Sequence, residues 1–349
     1  MNSIKIKDVA ELADVSTGTV DRVLHNRKGV SIKMREKVLK IIDELGYKTN
    51  VIAQALATKK STVFATLIPN EEKYSSYWAK PLIGIKRAEK GLSHYNIIVK
   101  NYFYDIYNVE SFKEQASLII EEAPKAVVIA PIFKKEALVF TSRLKQMDIP
   151  FIFLDSNIEE ETNSISYIGQ DSNQSGKVAA KLIQSRTIDT DTILLLNLTN
   201  NPNNQNHQNQ RSKGFIDFFT DKNRVGAIVK MDITNLNKDF INEKLDLTFK
   251  NIPNLKAIFV TNSKIHIIAK YIYNNTLKDN VILIGYDLID KNLEYLNNET
   301  IDYLISQDPV EQGYKSIMNL FQSVILNQKI KSKTCLPINI VIKENSMHF

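Results

Sequence analysis

Cysteine occurs once in the 349 residues, at Cys335, so neither an intramolecular disulfide nor a cysteine-based metal cluster can hold the chain together. A reducing, intracellular (cytoplasmic) setting fits that scarcity. Glycine (11) and proline (9) are too few for a collagen-like or low-complexity polymer, and 43% hydrophobic residues are too many for a chain that stays disordered. Long apolar runs are missing as well: no window approaches the roughly 20 residues of a membrane span. Lys5, Lys7, Asp8, Glu11 and Asp14 interrupt the first twenty residues, which argues against the apolar core of a signal peptide. Five histidines without metal-ligand spacing, no glycine-rich phosphate loop and no G-x-S-x-G elbow leave little material for catalysis. The expectation is a protein that is not an enzyme and needs no cofactor, no metal and no membrane.

What is present is length for two or three domains, at about 100 to 200 residues each, and an uneven charge. Residues 1–60 carry twelve Lys or Arg against seven Asp or Glu, net +5, whereas the rest of the chain carries 33 basic and 32 acidic side chains. A small basic module on a neutral body points to nucleic acid for the module and something else for the body. An acidic protein partner for the module is the alternative.

The module reads as three short helices. Ile6, Val9, Ala10 and Ala13 recur at helical spacing and the pattern stops at Val15-Ser16. Ser16 is placed to cap a second helix, Thr17 to Leu24, with Val20, Val23 and Leu24 inward and Thr17, Gly18, Asp21, Arg22 and His25 outward. Ser31 caps a third, bearing Met34, Val38, Ile41, Ile42 and Leu45, and Gly46 stands where a helix-ending glycine is favoured. The tight turn between the first two makes a helix-turn-helix bundle. Residues 49–60 read as a further short helix and a Lys-Lys-Ser linker. From Val63 onward, apolar runs (63–68, 97–100, 126–130, 151–154, 192–196, 257–260 and 281–285) alternate with amphipathic helical stretches, the signature of parallel sheets covered by helices on both faces. Asn200 to Gln210 reads as a solvated loop.

The segment KDVAELADVSTGTVDRVLHNRKGVSIKMREKVLKIIDELGYKTNVIAQALATKKS resembles, in register and without gaps, the DNA-binding headpiece and hinge of LacI/GalR-type bacterial transcriptional regulators. The body resembles the periplasmic sugar-binding-protein fold such regulators carry, through FLDSN at 153–157, IGQDSNQSGKVAAKLI at 168–183, RSKGF at 211–215, AIFVTNS at 257–263, LIGYD at 283–287 and LISQDPVEQGY at 304–314. The resemblance implies a small all-α helix-turn-helix domain followed by a two-lobed α/β body. The headpiece would span 1–48, the hinge helix and linker 49–61, and the ligand-binding and dimerisation body 62–349. Lobe 1 would take about 62–156 and 308–336, and lobe 2 about 157–307 and 337–349.

It further implies that the second helix enters the major groove, with Thr17 and Gly18 at base edges and Arg22 able to pair bidentately with guanine. Ser16, Thr19 and Asn26 would donate to phosphates, a role compatible with capping for Ser16. Asp21 and His25 depart from the small hydroxyl residue and the Asn common in the family; four residues apart, they could pair with each other. Leu56, flanked by Asn50 and Ala53, would wedge into a central minor-groove step, against the alternative that it merely packs. One wedge needs a symmetric mate, hence a homodimer on a pseudo-palindromic double-stranded operator. In the body, Tyr77, Trp78, Asp155, Arg211, Asn262, Asp287 and Gln307 match the ligand contacts of ribose-type binding proteins, so the partner would be a sugar-like effector, and the function a ligand-controlled regulator, most simply a repressor. A sugar-binding transport or sensor component and an architectural DNA binder are the competing readings.

Overall fold

The computed structural model describes residues 4–24, 27–47, 61–70, 76–161, 163–199, 206–220 and 226–349. It divides into two compact units, Met1–Lys59 and Lys60–Phe349. His25, Asn26, Asn50, Ala53 and Leu56 lie outside the described residues.

The first unit holds helices α1 (Ile6–Ala13), α2 (Thr17–Leu24) and α3 (Ile32–Leu45). Asp14, in the left-handed region at φ 56, ends α1. The Ser16 hydroxyl then accepts from the Thr19 amide at 3.2 Å and caps α2. Ser31 caps α3 by accepting from Met34 N at 3.3 Å, and Gly46 closes it at φ 60. These are the caps read from the sequence. Val9, Ala10, Ala13, Val20, Val23 and Val38 form the buried core. Arg35 ties α3 to the exit of α2 by donating to the Arg27 carbonyl at 2.8 Å.

The second unit contains two six-stranded sheets. One has the order β11-β5-β4-β3-β1-β2 and the other β12-β10-β9-β8-β6-β7. The first comprises β1 (Thr62–Pro69), β2 (Ile97–Tyr104), β3 (Ala126–Ile129), β4 (Phe151–Leu154), β5 (Ser166–Gly169) and β11 (Lys333–Cys335). The second comprises β6 (Thr192–Leu198), β7 (Ile228–Ile233), β8 (Leu255–Val260), β9 (Ile282–Tyr286), β10 (Tyr303–Ser306) and β12 (Asn339–Val341). All pairings are parallel except β10 with β12. β3, β4, β6 and β9 are buried along their whole length, as expected for strands covered on both faces.

Two expectations are corrected. The first lobe does not stop at 156: β5 pairs with β4 and β11, so residues through Gly169 belong to the first sheet. Four residues of mixed character, Ser-Tyr-Ile-Gly, carry too little apolar pattern to reveal a strand. Residues 206–210 are not loop but the first turns of the helix Asn206–Thr220; a run of Asn and Gln masks the helical period.

The chain passes between the sheets three times, near Gln170, Gln307 and Pro337. Gln170, only 3% exposed, donates from Nε2 to the Ser306 carbonyl at 3.0 Å and to the Pro337 carbonyl at 3.1 Å, so one carboxamide joins all three crossings. In each lobe one helix pair meets backbone to backbone. A Cβ on Gly84 would lie 1.8 Å from Val310 O and one on Gly313 2.0 Å from Pro81 O, which binds helix Ala79–Leu92 to helix Pro309–Leu320. Gly176 and Gly214 do the same for helix Ser172–Gln184 and helix Asn206–Thr220, with 2.0 Å to Arg211 O and 1.9 Å to Asn173 O. Gly84→Ala should therefore force the helices apart and lower stability by roughly 1–3 kcal/mol. Gly91, in the same helix but with nothing within 4 Å of its Cβ position, should instead gain about 1 kcal/mol on substitution by Ala. Denaturant unfolding of both variants checks the pair.

Candidate functional site

The exposed face of α2 carries Ser16, Thr17, Gly18 and Arg22, with Thr19 half-buried. Ser16 Oγ also lies 3.0 Å from Thr19 Oγ1, so the two hydroxyls form a pair at the helix N-terminus. A Cβ on Gly18 would meet only Ser16 Oγ, at 3.7 Å. The fold therefore sets no demand for glycine there. Asp21 accepts from Arg27 Nη1 at 3.1 Å, which supplies the aspartate with a cation within the described residues.

In the body, strand ends do the positioning. Asp155 follows β4, Asp287 follows β9, Gln307 follows β10, and Thr261-Asn262 follow β8. Tyr77 and Trp78 precede the helix Ala79–Leu92, and Arg211 lies on the helix Asn206–Thr220. All seven body residues singled out in the sequence line one cavity of about 160 Å³. It opens at the carboxyl ends of the strands, where open α/β sheets bind ligands. Asp155 and Asp287 take equivalent places in the two sheets, and both have left-handed backbones, φ 66 and 72.

The buried polar groups form two chains. In one, Tyr77 Oη donates to Asp155 Oδ1 at 2.5 Å, and Asp155 Oδ2 lies 3.1 Å from His207 Nε2. In the other, Arg211 donates through Nη2 to Gln307 Oε1 at 2.6 Å, and Gln307 Nε2 donates to Asp287 Oδ1 at 2.9 Å. Arg211 Nη1 donates to the Thr261 carbonyl at 2.7 Å, and the guanidinium lies 3.7 Å from the Tyr286 ring centroid. Arg211 Nε has no partner among the described residues. Asn262 is held from both ends, donating to Leu198 O at 2.5 Å and accepting from Lys264 N at 3.0 Å. It lines the cavity while serving as a turn-former.

The two carboxylates are driven in opposite directions. Burial works to raise Asp155, but His207, the Tyr77 hydroxyl and Arg211 together hold it below the usual carboxylate range. Burial prevails at Asp287, pushing it up to about 6 against the pull of Arg211 and Gln307. Burial and the adjacent Asp155 push the Tyr77 phenol well above its ordinary value.

His207, Gln208, Thr199, Tyr107 and Lys264 also line the cavity and were not singled out in the sequence. For His207 a signal existed: it precedes Arg211 by one helical turn, which puts both on one face.

Residues 64–328 match the model of the periplasmic binding protein domain, and residues 5–50 match that of bacterial regulatory proteins of the lacI family. The chain belongs to the periplasmic binding protein domain family and carries a lacI-family domain before it. The chain is 41% identical over 99 residues to catabolite control protein A of Streptococcus mutans, covering 28% of each chain. It is 25% identical over 185 residues to the ExuR protein of Bacillus subtilis, described as an HTH-type transcriptional repressor, covering 52% of each. The alignments thus reach only 28 to 52% of these relatives' own length. A Bacteroides fragilis structure described as a LacI transcriptional regulator aligns with a TM-score of 0.77 at 29% identity, over 83% of this chain and 100% of that one. GanP, a glucose-galactose binding protein from Geobacillus stearothermophilus, has the same periplasmic-binding fold, with a TM-score of 0.71 at 19% identity over 82% of this chain and 99% of that one. These relatives are regulators and binding proteins, not enzymes.

Asp287 gives a periplasmic-binding cavity a pH signature. A carboxyl whose folded value lies above its unfolded one, about 3.9, holds its proton more tightly when folded, so stability falls as pH rises from about 4 through 6. Asp287→Asn should therefore unfold later than wild type near pH 7.5, by on the order of 3 kcal/mol, with the advantage shrinking towards pH 4. Chemical denaturation at both pH values checks it.

Proposed function

We propose that this chain is a sequence-specific, DNA-binding transcriptional regulator, acting in the cytoplasm as a homodimeric repressor, whose affinity for a pseudo-palindromic operator is set by a sugar-like effector held between the lobes. The supporting observation is the joint presence in one chain of two things. One is a basic three-helix unit whose second helix exposes Ser16, Thr17, Gly18 and Arg22. The other is a periplasmic-binding body whose strand-end residues converge on one cavity.

On this reading Arg22 reads guanine, the Ser16 and Thr19 hydroxyls contact phosphate, and Thr17 touches a base edge while Gly18 lets the helix backbone approach. Asn26, Asn50, Ala53 and Leu56 complete the contacts, Leu56 as the wedge. Tyr77 and Trp78 supply the aromatic wall, and Asp155, Arg211, Asn262, Asp287 and Gln307 the polar one. The cavity chemistry favours a neutral polyol over a sugar acid. Asp155, held ionised in the cavity wall, repels a ligand carboxylate, and two of the five N–H donors of Arg211 are already committed to Thr261 O and Gln307 Oε1. The two carboxylates are acceptors suited to hydroxyl donors. Coupling between effector and operator is reciprocal: whichever way the effector moves operator affinity, operator moves effector affinity by the same factor.

Selection of bound duplexes from a random DNA pool tests the reading, followed by titration of the winning duplex against a panel of pentoses, hexoses and uronic acids. A pseudo-palindrome is expected, with operator affinity altered by a neutral sugar and not by a uronic acid. Arg22→Ala should weaken the winning duplex by about 1–3 kcal/mol and relax the base choice at one position of each half-site. If no sequence is enriched with or without sugar, while a sugar binds the body, the chain is a sugar-binding component without DNA regulation.

A further inference from the structure

We propose that His207 is an interlobe latch: it fastens the second lobe to the first across the mouth of the cavity and fixes the orientation of Asp155. This goes beyond the regulator reading, because it concerns the closure of the body itself, whatever ligand the cavity takes.

His207 stands in the first turn of the helix Asn206–Thr220, which packs on the helix Ser172–Gln184 of the second lobe. Its Nδ1 lies 3.0 Å from the Ser172 hydroxyl, within its own lobe. That contact sets the plane of the ring and turns Nε2 towards the first lobe. There Nε2 lies 2.5 Å from Ser156 Oγ and 3.1 Å from Asp155 Oδ2, both on the segment that leaves β4. One imidazole thus spans the gap, with side-chain exposure of 20% for His207 and 7% for Asp155.

The consequence for Asp155 is geometric. Its Oδ1 accepts from Tyr77 and its Oδ2 faces His207, so each oxygen has a fixed partner and the carboxylate plane cannot rotate. With Asp155 ionised, an N–H on His207 Nε2 donates to it, whereas a lone pair there would face the carboxylate. Two further contacts cross the same gap, Lys80 Nζ to Leu288 O at 2.7 Å and Lys264 Nζ to Tyr107 Oη at 3.4 Å. Neither contact is a hydrogen bond to a carboxylate of the cavity wall. The pivot lies at Gln170, where the three crossings are joined, so a latch at His207 acts on a body already constrained to open about that point.

The chain carries its own reporter. Trp78 is the single tryptophan, it lines the cavity, and it is 5% exposed. Acrylamide quenching of its fluorescence in the full-length protein, without any sugar, reads how often the cavity opens. The wild type should be strongly shielded. H207A should lower the closed-to-open ratio by about tenfold, the size of a lost charge-assisted hydrogen bond, and raise the quenching constant accordingly. H207Q, whose amide can still donate to Asp155, should stay near wild type. Should H207A lose its native circular dichroism, H207N is read instead, since its shorter side chain stays polar but falls short of Asp155.

Wild-type quenching in the non-reaching variant, or a wild-type Trp78 already as accessible as in that variant, overturns the proposal. So does equal quenching in H207Q and H207A, both raised. Because the measurement uses neither sugar nor DNA, it stands apart from any failure to find an effector or an operator.

Discussion

Taking Asp155 and Asp287 out of water at matching strand ends imposes a cost that only specific partners can offset, and much of the body's polar architecture is arranged around that need. The partners come from different elements: Tyr77 after β1, His207 and Arg211 from one helix, Gln307 from a crossing between the lobes. Two of these also belong to the machinery that joins the lobes. The electrostatics of the cavity and the geometry of closure are therefore one problem rather than two.

The two carboxylates occupy equivalent places in the sheets yet differ in character. Asp155 has a phenol and an imidazole directly upon it and stays ionised, whereas Asp287 has a neutral carboxamide between itself and the guanidinium and is pushed up to about 6. Direct contact against contact through a relay accounts for the difference. The reciprocal glycine pairs have a related effect on position. Gly176 lets the helix bearing His207 and Arg211 approach until its backbone touches, which brings both side chains to the mouth of the strands. A methyl group there would displace the helix and both of these contacts.

Legibility in the sequence tracks the range of the interactions involved. Ser16, Ser31 and Gly46 are readable as caps because a cap is decided within three or four residues. β4, with four apolar residues bounded by Pro150 and Asp155, is readable in full. β5 and β11 are not, since Ser166–Gly169 and Lys333–Cys335 become strands only through partners distant in the chain. The seven cavity residues are found by resemblance, and four of them, Asp155, Asn262, Asp287 and Gln307, also by their places at strand ends. The one-turn spacing of His207 and Arg211 becomes a signal only once their segment is seen to be helical, and Asn and Gln obscure that period.

The sequence by itself determined the basic three-helix unit, the alternation of buried strands with helices, and which residue types stand at the strand ends, since each depends on local periodicity and capping. Only the tertiary structure decided which of those residues meet. Asp155 faces His207 rather than solvent, Arg211 donates to Thr261 and Gln307, and Gln170 joins three crossings. Those pairings join residues 50 to 167 positions apart in the chain, and no local signal encodes them. Their geometry exists only once both sheets are packed.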